Sequence, residues 1–173
     1  MDETPISGTP ITPAGMARLS EQLEHLRTTG RAEVADRLRR AFSIGAEAAL
    51  SPEYQEVRDE QALLEWRIAE LEQRLATARI AQANNDDDVV DLGELVQVRE
   101  LDSGSFVEYE VVGPLEADPL AGRISVSSPL GQALLGSREG ETVDVAAPGG
   151  RFKFRILGIG PGGAAGEPPV SVA

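Results

Sequence analysis

The sequence predicts an α+β chain in which an N-terminal antiparallel α-helical coiled-coil hairpin precedes a small β-rich domain. Two long stretches, residues 13–44 and 52–81, repeat apolar residues at helical spacing on either side of a seven-residue interruption. Near Ala83 the composition shifts from Leu, Arg and Glu to Val, Gly and Pro. Beyond that point short β-type runs alternate with turns, and a single short helical candidate lies among them.

Residues 1–11 read as a flexible N-terminus. Thr12 and Pro13 then offer an N-cap followed by proline at the first helical position, so the first helix starts there. Met16, Leu19, Leu23 and Leu26 recur at three- and four-residue steps, and Val34, Leu38 and Phe42 continue the series after a slip at Gly30. Glycine costs a helix about 1 kcal/mol relative to alanine, so a bend or local irregularity is expected at Gly30. Ser51-Pro52-Glu53 repeats the capping device for the second helix, with an acid in the first turn where the helix dipole favours it. There Val57, Leu64, Leu71 and Ala78 form one seven-residue series and Gln61, Ile68 and Leu75 form the other. Trp66 lies beside them and is expected to be buried.

A connection this short makes the helices antiparallel, seam against seam. About 30 residues per helix at roughly 1.5 Å each gives a rod of roughly 45 Å, which points to reach as its purpose. The hairpin is assigned to residues 12–82, with its tip at 45–51. The run ANNDDDVVDLG, residues 83–93, reads as an acidic linker. Strands are expected at 95–101, 106–112, 123–127, 142–146 and 151–157, and a short helix at 129–135. Together residues 94–159 suggest an α+β half-barrel. Residues 160–173, rich in Gly, Pro and Ala, are expected to be a disordered tail.

At 173 residues the chain suits two small domains. Its formal net charge is −13, of which residues 1–82 carry −4 and residues 83–173 carry −9. So acidic a base should not hold a nucleic-acid backbone indiscriminately, because phosphate affinity comes from Lys and Arg; any polynucleotide contact must be local or indirect. The absence of cysteine excludes disulfides and thiolate metal sites. No segment has the length and apolarity of a membrane span or a signal sequence, so a soluble cytoplasmic protein with no membrane partner is expected. His25 is the only histidine, which leaves no set for a zinc site or an acid–base relay. No phosphate-binding loop or nucleophile elbow is present, and no cofactor of the chain's own is expected.

Three segments carry a resemblance: ITPAGMARLSEQLEHLR, EYQEVRDEQALLEWRIAELEQRLATARI and ISVSSPLGQALLGSREGETVDVAAPGGRFKFRILGI. In this order they resemble the Gre family of bacterial transcript-cleavage and elongation factors, GreA and GreB, from Ile11 to Ile159. The resemblance implies an N-terminal coiled coil and a C-terminal FKBP-like domain. It implies docking of the C-terminal domain at the rim of the secondary channel of RNA polymerase, with the coiled coil entering the channel. Two tip carboxylates would there help hold a second Mg²⁺ of the polymerase, which activates water to cut the RNA of a backtracked complex. The chain would modulate the polymerase rather than be an enzyme itself.

The tip departs from the pattern. Cleavage-active members read Gly-Asp-Leu-x-Glu-Asn-x-Glu-Tyr, whereas this chain reads Gly45-Ala46-Glu47-Ala48-Ala49-Leu50-Ser51-Pro52-Glu53-Tyr54, one residue longer. Aligned backward from Glu53-Tyr54, Glu47 takes the place of the Asp and Leu50 replaces the metal-binding Glu. Aligned forward from Gly45, Ala46 and Ala49 fall on the two acids. Glu47 alone would be a poor Mg²⁺ ligand set, so weak or no cleavage is expected; Glu47 reads as a residual ligand of the Mg²⁺ shared with the polymerase or a new electrostatic contact, or else as a solvated loop residue. Glu53 suits the helix start. Arg37, Arg39, Arg40 and Arg58 either face the 3′ end of nascent RNA, as the resemblance implies, or pair with acids on a solvated helix face. Ser128, Pro129 and Leu130 fall in the segment used for polymerase docking and also suit a helix cap. Three alternatives remain: an active cleavage factor using Glu47, an FKBP-type peptidyl-prolyl isomerase or chaperone, and a coiled-coil oligomeriser. The short capped tip favours an intramolecular hairpin and hence a monomer.

Overall fold

A computed structural model describes residues 8–42, 51–81 and 88–162. The chain divides into two compact units, one of Met16–Thr77 and one of Met1–Gly15 with Ala78–Ala173.

The first unit is the helical hairpin. Helix α1 (Pro13–His25) leads through a π-helical turn, Leu26–Gly30, into α2 (Arg31–Phe42), and α3 (Pro52–Thr77) returns. The seam consists of buried Leu23, Val34, Val57, Leu64, Ile68 and Leu71, flanked by Leu19, Leu26, Leu38 and Leu75. The expected irregularity at Gly30 is the π turn. Leu26 to Val34 spans eight residues where a heptad allows seven, and a π turn absorbs one inserted residue without breaking the helix. Gly30 faces Leu64 there: a Cβ would lie 3.2 Å from Leu64 Cδ1.

Two expected seam positions are corrected. Ala41, not Phe42, is buried beside the seam, because the heptad steps from Leu38 by three rather than by four; Phe42 is 57% exposed. Trp66 is 61% exposed rather than buried, because the seam on α3 is already filled by Leu64, Ile68 and Leu71. The second helix also ends earlier than its apolar period suggests. It stops at Thr77, whose hydroxyl donates to Arg74 O at 3.0 Å, and Ala78–Ile80 forms strand β2.

The second unit begins with β1 (Thr9–Ile11), which pairs in parallel with β2; the intervening hairpin is the long crossover that a parallel pair requires. Residues 9–11 are therefore a strand, not part of a flexible terminus, and Ile11 is fully buried. The main sheet has five strands: β3 (Glu94–Glu100), β4 (Phe106–Val112), β5 (Arg123–Ser125), β6 (Thr142–Ala147) and β7 (Gly150–Pro161), in the order β5-β4-β3-β7-β6. Only the β4–β5 pairing is parallel. Register shifts between Gln97 and Val98, where β7 inserts one extra residue, Leu157; such a bulge bends and twists the sheet locally.

One face of the sheet is covered by α4 (Pro129–Leu134). The core beneath it comprises Val90, Val96, Val98, Val111, Ile124, Leu134, Val143, Val145 and Ile156. Helix α4 approaches β5 closely enough that a Cβ on Gly131 would stand 2.0 Å from Ser125 O. The expected linker is corrected in its second half. Val90 is 1% exposed, its N–H donates to Ser137 O at 2.9 Å, and its carbonyl accepts from Gly136 N at 2.8 Å. An apolar pair, Val89-Val90, behind three aspartates is drawn into the core despite the acidic run. Gly160 and Pro161 likewise extend β7 rather than beginning a tail. Residues 163–173 lie outside the described residues.

Candidate functional site

The base of the tip is built by the two helix ends that flank it. Ser51 caps α3: its hydroxyl oxygen accepts from Tyr54 N at 3.2 Å and its carbonyl accepts from Gln55 N at 3.1 Å. This satisfies first-turn N–H groups that the helix itself cannot pair. Glu53 lies exposed in the same turn, where the helix dipole favours an acid. On the other side Phe42 ends α2, and its ring meets that of Tyr54 at 6.2 Å between centroids and 50° between planes. A tilted aromatic pair of this kind is favourable beyond its burial, and it ties the two strands of the hairpin where the tip begins. Sequence reasoning missed this clamp because it placed Phe42 in the seam. Glu47 and Leu50 lie outside the described residues.

Each arginine of the expected basic patch has a local partner. Arg37 pairs with Glu60 across the hairpin, and Arg39 with Asp36 one turn back on α2. Arg40 Nε donates to Asp36 O at 3.4 Å, and Arg58 donates to Gln61 Oε1 at 3.0 Å. At about 100° per residue Arg39 is turned some 200° from Arg37, so the three arginines of α2 do not share one face. Arg37 instead joins a ladder between the helices. Arg31 grips Glu65 with two hydrogen bonds, of 2.9 and 2.7 Å, and Arg27 reaches Glu72 at 2.7 Å. The hydrogen bond from Arg31 holds the Glu65 carboxyl below its ordinary value, and the bond to Glu65 raises Arg31.

The segment expected to dock is set by α4. Ser128 Oγ accepts from Gly131 N at 3.0 Å and donates to Ser125 O at 2.7 Å. Pro129 occupies the first helical position and is exposed, whereas Leu130 packs partly against the core. The three residues are adjacent, and of them Pro129 is the one most open to solvent.

A second feature was not legible in the sequence. Glu116, 6% exposed, accepts from Thr12 N at 2.7 Å and from the Thr12 hydroxyl at 2.6 Å, across 104 residues of chain. Thr12 Oγ1 in turn accepts from Gly15 N at 2.8 Å, the cap expected from Thr12-Pro13. A side chain on Gly15 would collide with the carboxylate, its Cβ falling 1.7 Å from Glu116 Oε2. The only hint in the sequence is a glycine in the first turn of an otherwise well-formed helix.

Among the described residues there is no group of three or more His, Asp or Glu able to hold a metal ion. No described helix is long and apolar enough to cross a membrane.

The model of the N-terminal domain of transcription elongation factors matches residues 9–80, and that of the GreA/GreB C-terminal domain matches residues 84–161. Transcription elongation factor GreA of Acetivibrio thermocellus is 41% identical over 150 residues, covering 86% of this chain and 94% of the relative. GreA of Caldanaerobacter subterraneus subsp. tengcongensis is also 41% identical over 150 residues, with coverages of 86% and 95%. Among solved structures, GreA factor homolog 1 (Gfh1) of Thermus thermophilus is 32% identical, with coverages of 88% and 99% and a TM-score of 0.40.

Proposed function

Because the chain belongs to the GreA/GreB family of transcription elongation factors, we propose that it binds bacterial RNA polymerase at the secondary channel and modulates elongation with weak or no stimulation of transcript cleavage. The observation that carries this reading is the coincidence of both family domains with a tip sequence that lacks the paired carboxylates. The β-rich unit, read as FKBP-like, docks through Ser128, Pro129 and Leu130. The hairpin supplies reach: α3 alone has 26 residues, about 39 Å at 1.5 Å per residue.

The ion-pair ladder and the Phe42–Tyr54 clamp favour a hairpin that keeps its shape in a narrow channel. At the tip, Mg²⁺ needs near-octahedral oxygen ligation, and one acid offers too little of it. Leu50 and Pro52 make the tip less hydrated and stiffer, which suits occupying the channel more than supplying charge to it. Arg37, Arg39, Arg40 and Arg58 contact the RNA 3′ end only if they exchange their present partners for phosphate. The seam of the hairpin is filled within one chain, which supports a monomer over an oligomerising coiled coil. The fold is read as acting in the cytoplasm, where the polymerase works.

A pull-down with core polymerase, followed by RNA cleavage in stalled elongation complexes, tests the reading. Retention on polymerase with cleavage near the factor-free rate is expected, and Glu47→Ala should leave both unchanged. Failure to bind overturns the docking. Robust cleavage that Glu47→Ala abolishes overturns the account of the tip and restores an active cleavage factor.

A further inference from the structure

The acidic second unit hides a cationic surface. Residues 83–173 contain six basic side chains, and four of them, Arg99, Arg151, Lys153 and Arg155, lie on one side of the sheet. Arg151, Lys153 and Arg155 alternate along β7 with Phe152 and Phe154, which turn toward the side of Val143 and Val145. The opposite face carries the core and α4, so this face is the one left to solvent; register also places Asp144 beside Lys153 and Glu108 and Glu110 farther along β4, so the positive charge is concentrated where Arg99 meets β7. All four basic residues are exposed.

Register aligns a row across this face: Phe106 on β4, Arg99 on β3, Arg155 on β7 and Thr142 on β6. The two arginines stand directly opposite each other on neighbouring strands, an arrangement that costs stability between like charges. Among the described residues none of Arg99, Arg151 and Arg155 is paired with a carboxylate, and Lys153 has only Asp144, at 3.7 Å. Arg99 lies over the Phe106 ring, 5.1 Å from its centroid, and the ring is still 48% exposed. Beside this row Arg99, Leu101, Arg155 and Leu157, together with one acid, Glu139, line a cavity of about 380 Å³.

We propose that this sheet face binds single-stranded nucleic acid. Cations on every second residue of an extended strand recur at roughly 6.7 Å, a stride suited to a backbone with one charge per unit. An aromatic ring exposed at the end of the row, with apolar Leu101 and Leu157 beside it, supplies stacking surface for bases. A basic track with interleaved stacking surfaces is what sequence-tolerant binding of single strands requires. An acidic protein segment would satisfy the arginines but has no use for the Phe106 platform. The net charge of −13 confines the contact to this face and makes it strongly salt-dependent. The inference goes beyond polymerase binding and does not depend on it.

Fluorescence anisotropy of the full chain with labelled 12-nucleotide single strands of RNA and DNA, at low and moderate salt, tests it. Binding that weakens with salt is expected, and Arg151→Ser with Arg155→Ser should weaken it about tenfold or more. Arg67→Ser with Arg138→Ser makes the same change in net charge and should alter it less than about twofold. Phe106→Ala should lower affinity a further few-fold without any change in charge, and circular dichroism verifies that each variant is folded. Absence of binding by the unmutated chain, or equal losses in the two double variants, overturns the proposal. So does loss of polymerase binding by Arg151→Ser with Arg155→Ser when no strand is bound, which would make the face a protein contact.

Discussion

The hairpin and the β-rich unit bury their apolar residues to different depths, and the difference separates reach from stability. The largest side chains that are fully enclosed, Ile11, Val90, Val96, Val98, Val111, Val112, Leu134 and Ile156, all belong to the β-rich unit. In the hairpin no seam residue is fully enclosed: exposure runs from 2% at Ile68 to 9% at Leu64. Two helices provide only two walls, so a side chain between them meets solvent at the edges. A sheet with a helix over it and loops at its ends closes every side. The hairpin replaces missing depth with cross-helix ion pairs, which fix register but add little stability where they are exposed. A long two-helix hairpin is thus obtained by accepting a shallow core.

The largest effect expected is that of Leu134→Ala. This side chain of α4 is completely buried against the sheet, and its loss should cost about 2–5 kcal/mol through lost burial and a residual cavity. Hydrogen exchange should show amides of β3, β4 and β7 losing protection while α3 retains its own, and equal loss in α3 would break the contrast between the units. Leu64→Ala in the seam should fall at the lower end of that range, about 2 kcal/mol, because a site at the edge of a two-helix seam closes over the lost volume more readily. A urea midpoint reported by helical circular dichroism measures it, and a cost matching that of Leu134→Ala would refute the shallow-core account. Glu116→Gln should cost about 1 kcal/mol, the difference between hydrogen bonds to a charged and to a neutral acceptor. Its effect should appear as faster exchange of the Thr12 and Gly15 amides.

Legibility in the sequence followed the same division. Helical period, capping at Thr12 and Ser51, and the slip at Gly30 are local signals, and the hairpin was read from them almost residue by residue. The slip even marked the π turn, although after Leu38 the seam steps to Ala41 rather than to Phe42. In the β-rich unit the strand segments were readable, and β4 coincides with its expected span. Contacts between distant segments were not readable. Val90 sits in an acidic run, and β1 is three residues with no neighbour until residues 78–80 arrive. The bond between Glu116 and Thr12 spans 104 residues. The arginine row depends on strand register, which no local pattern reports. For the tip, the expectation of an altered carboxylate pair rests on the sequence alone, and the described structure adds only the cap and the aromatic clamp at its base.

The smallest effect sharpens the contrast by acting on the ladder alone. Glu65 holds its proton less tightly in the folded hairpin than in the open chain, because Arg31 donates to its carboxylate and adds its positive charge, against a weaker opposing effect of burial. A carboxyl whose folded value is depressed contributes stability that is present above its unfolded value and is lost as pH falls through the folded one. Arg31, shifted upward by the same contact, stays charged throughout that window and contributes nothing to the pH dependence. The helical unfolding midpoint should therefore decline as pH drops through and below the usual carboxylate range. In Glu65→Gln part of that decline should vanish: the variant is slightly less stable than the parent at neutral pH and equal to it in strong acid. Raising salt should narrow the neutral-pH gap, because both groups face solvent and their attraction is screened. Identical pH slopes for parent and variant would show that the ladder sets register without contributing to stability, leaving the seam alone to hold the rod.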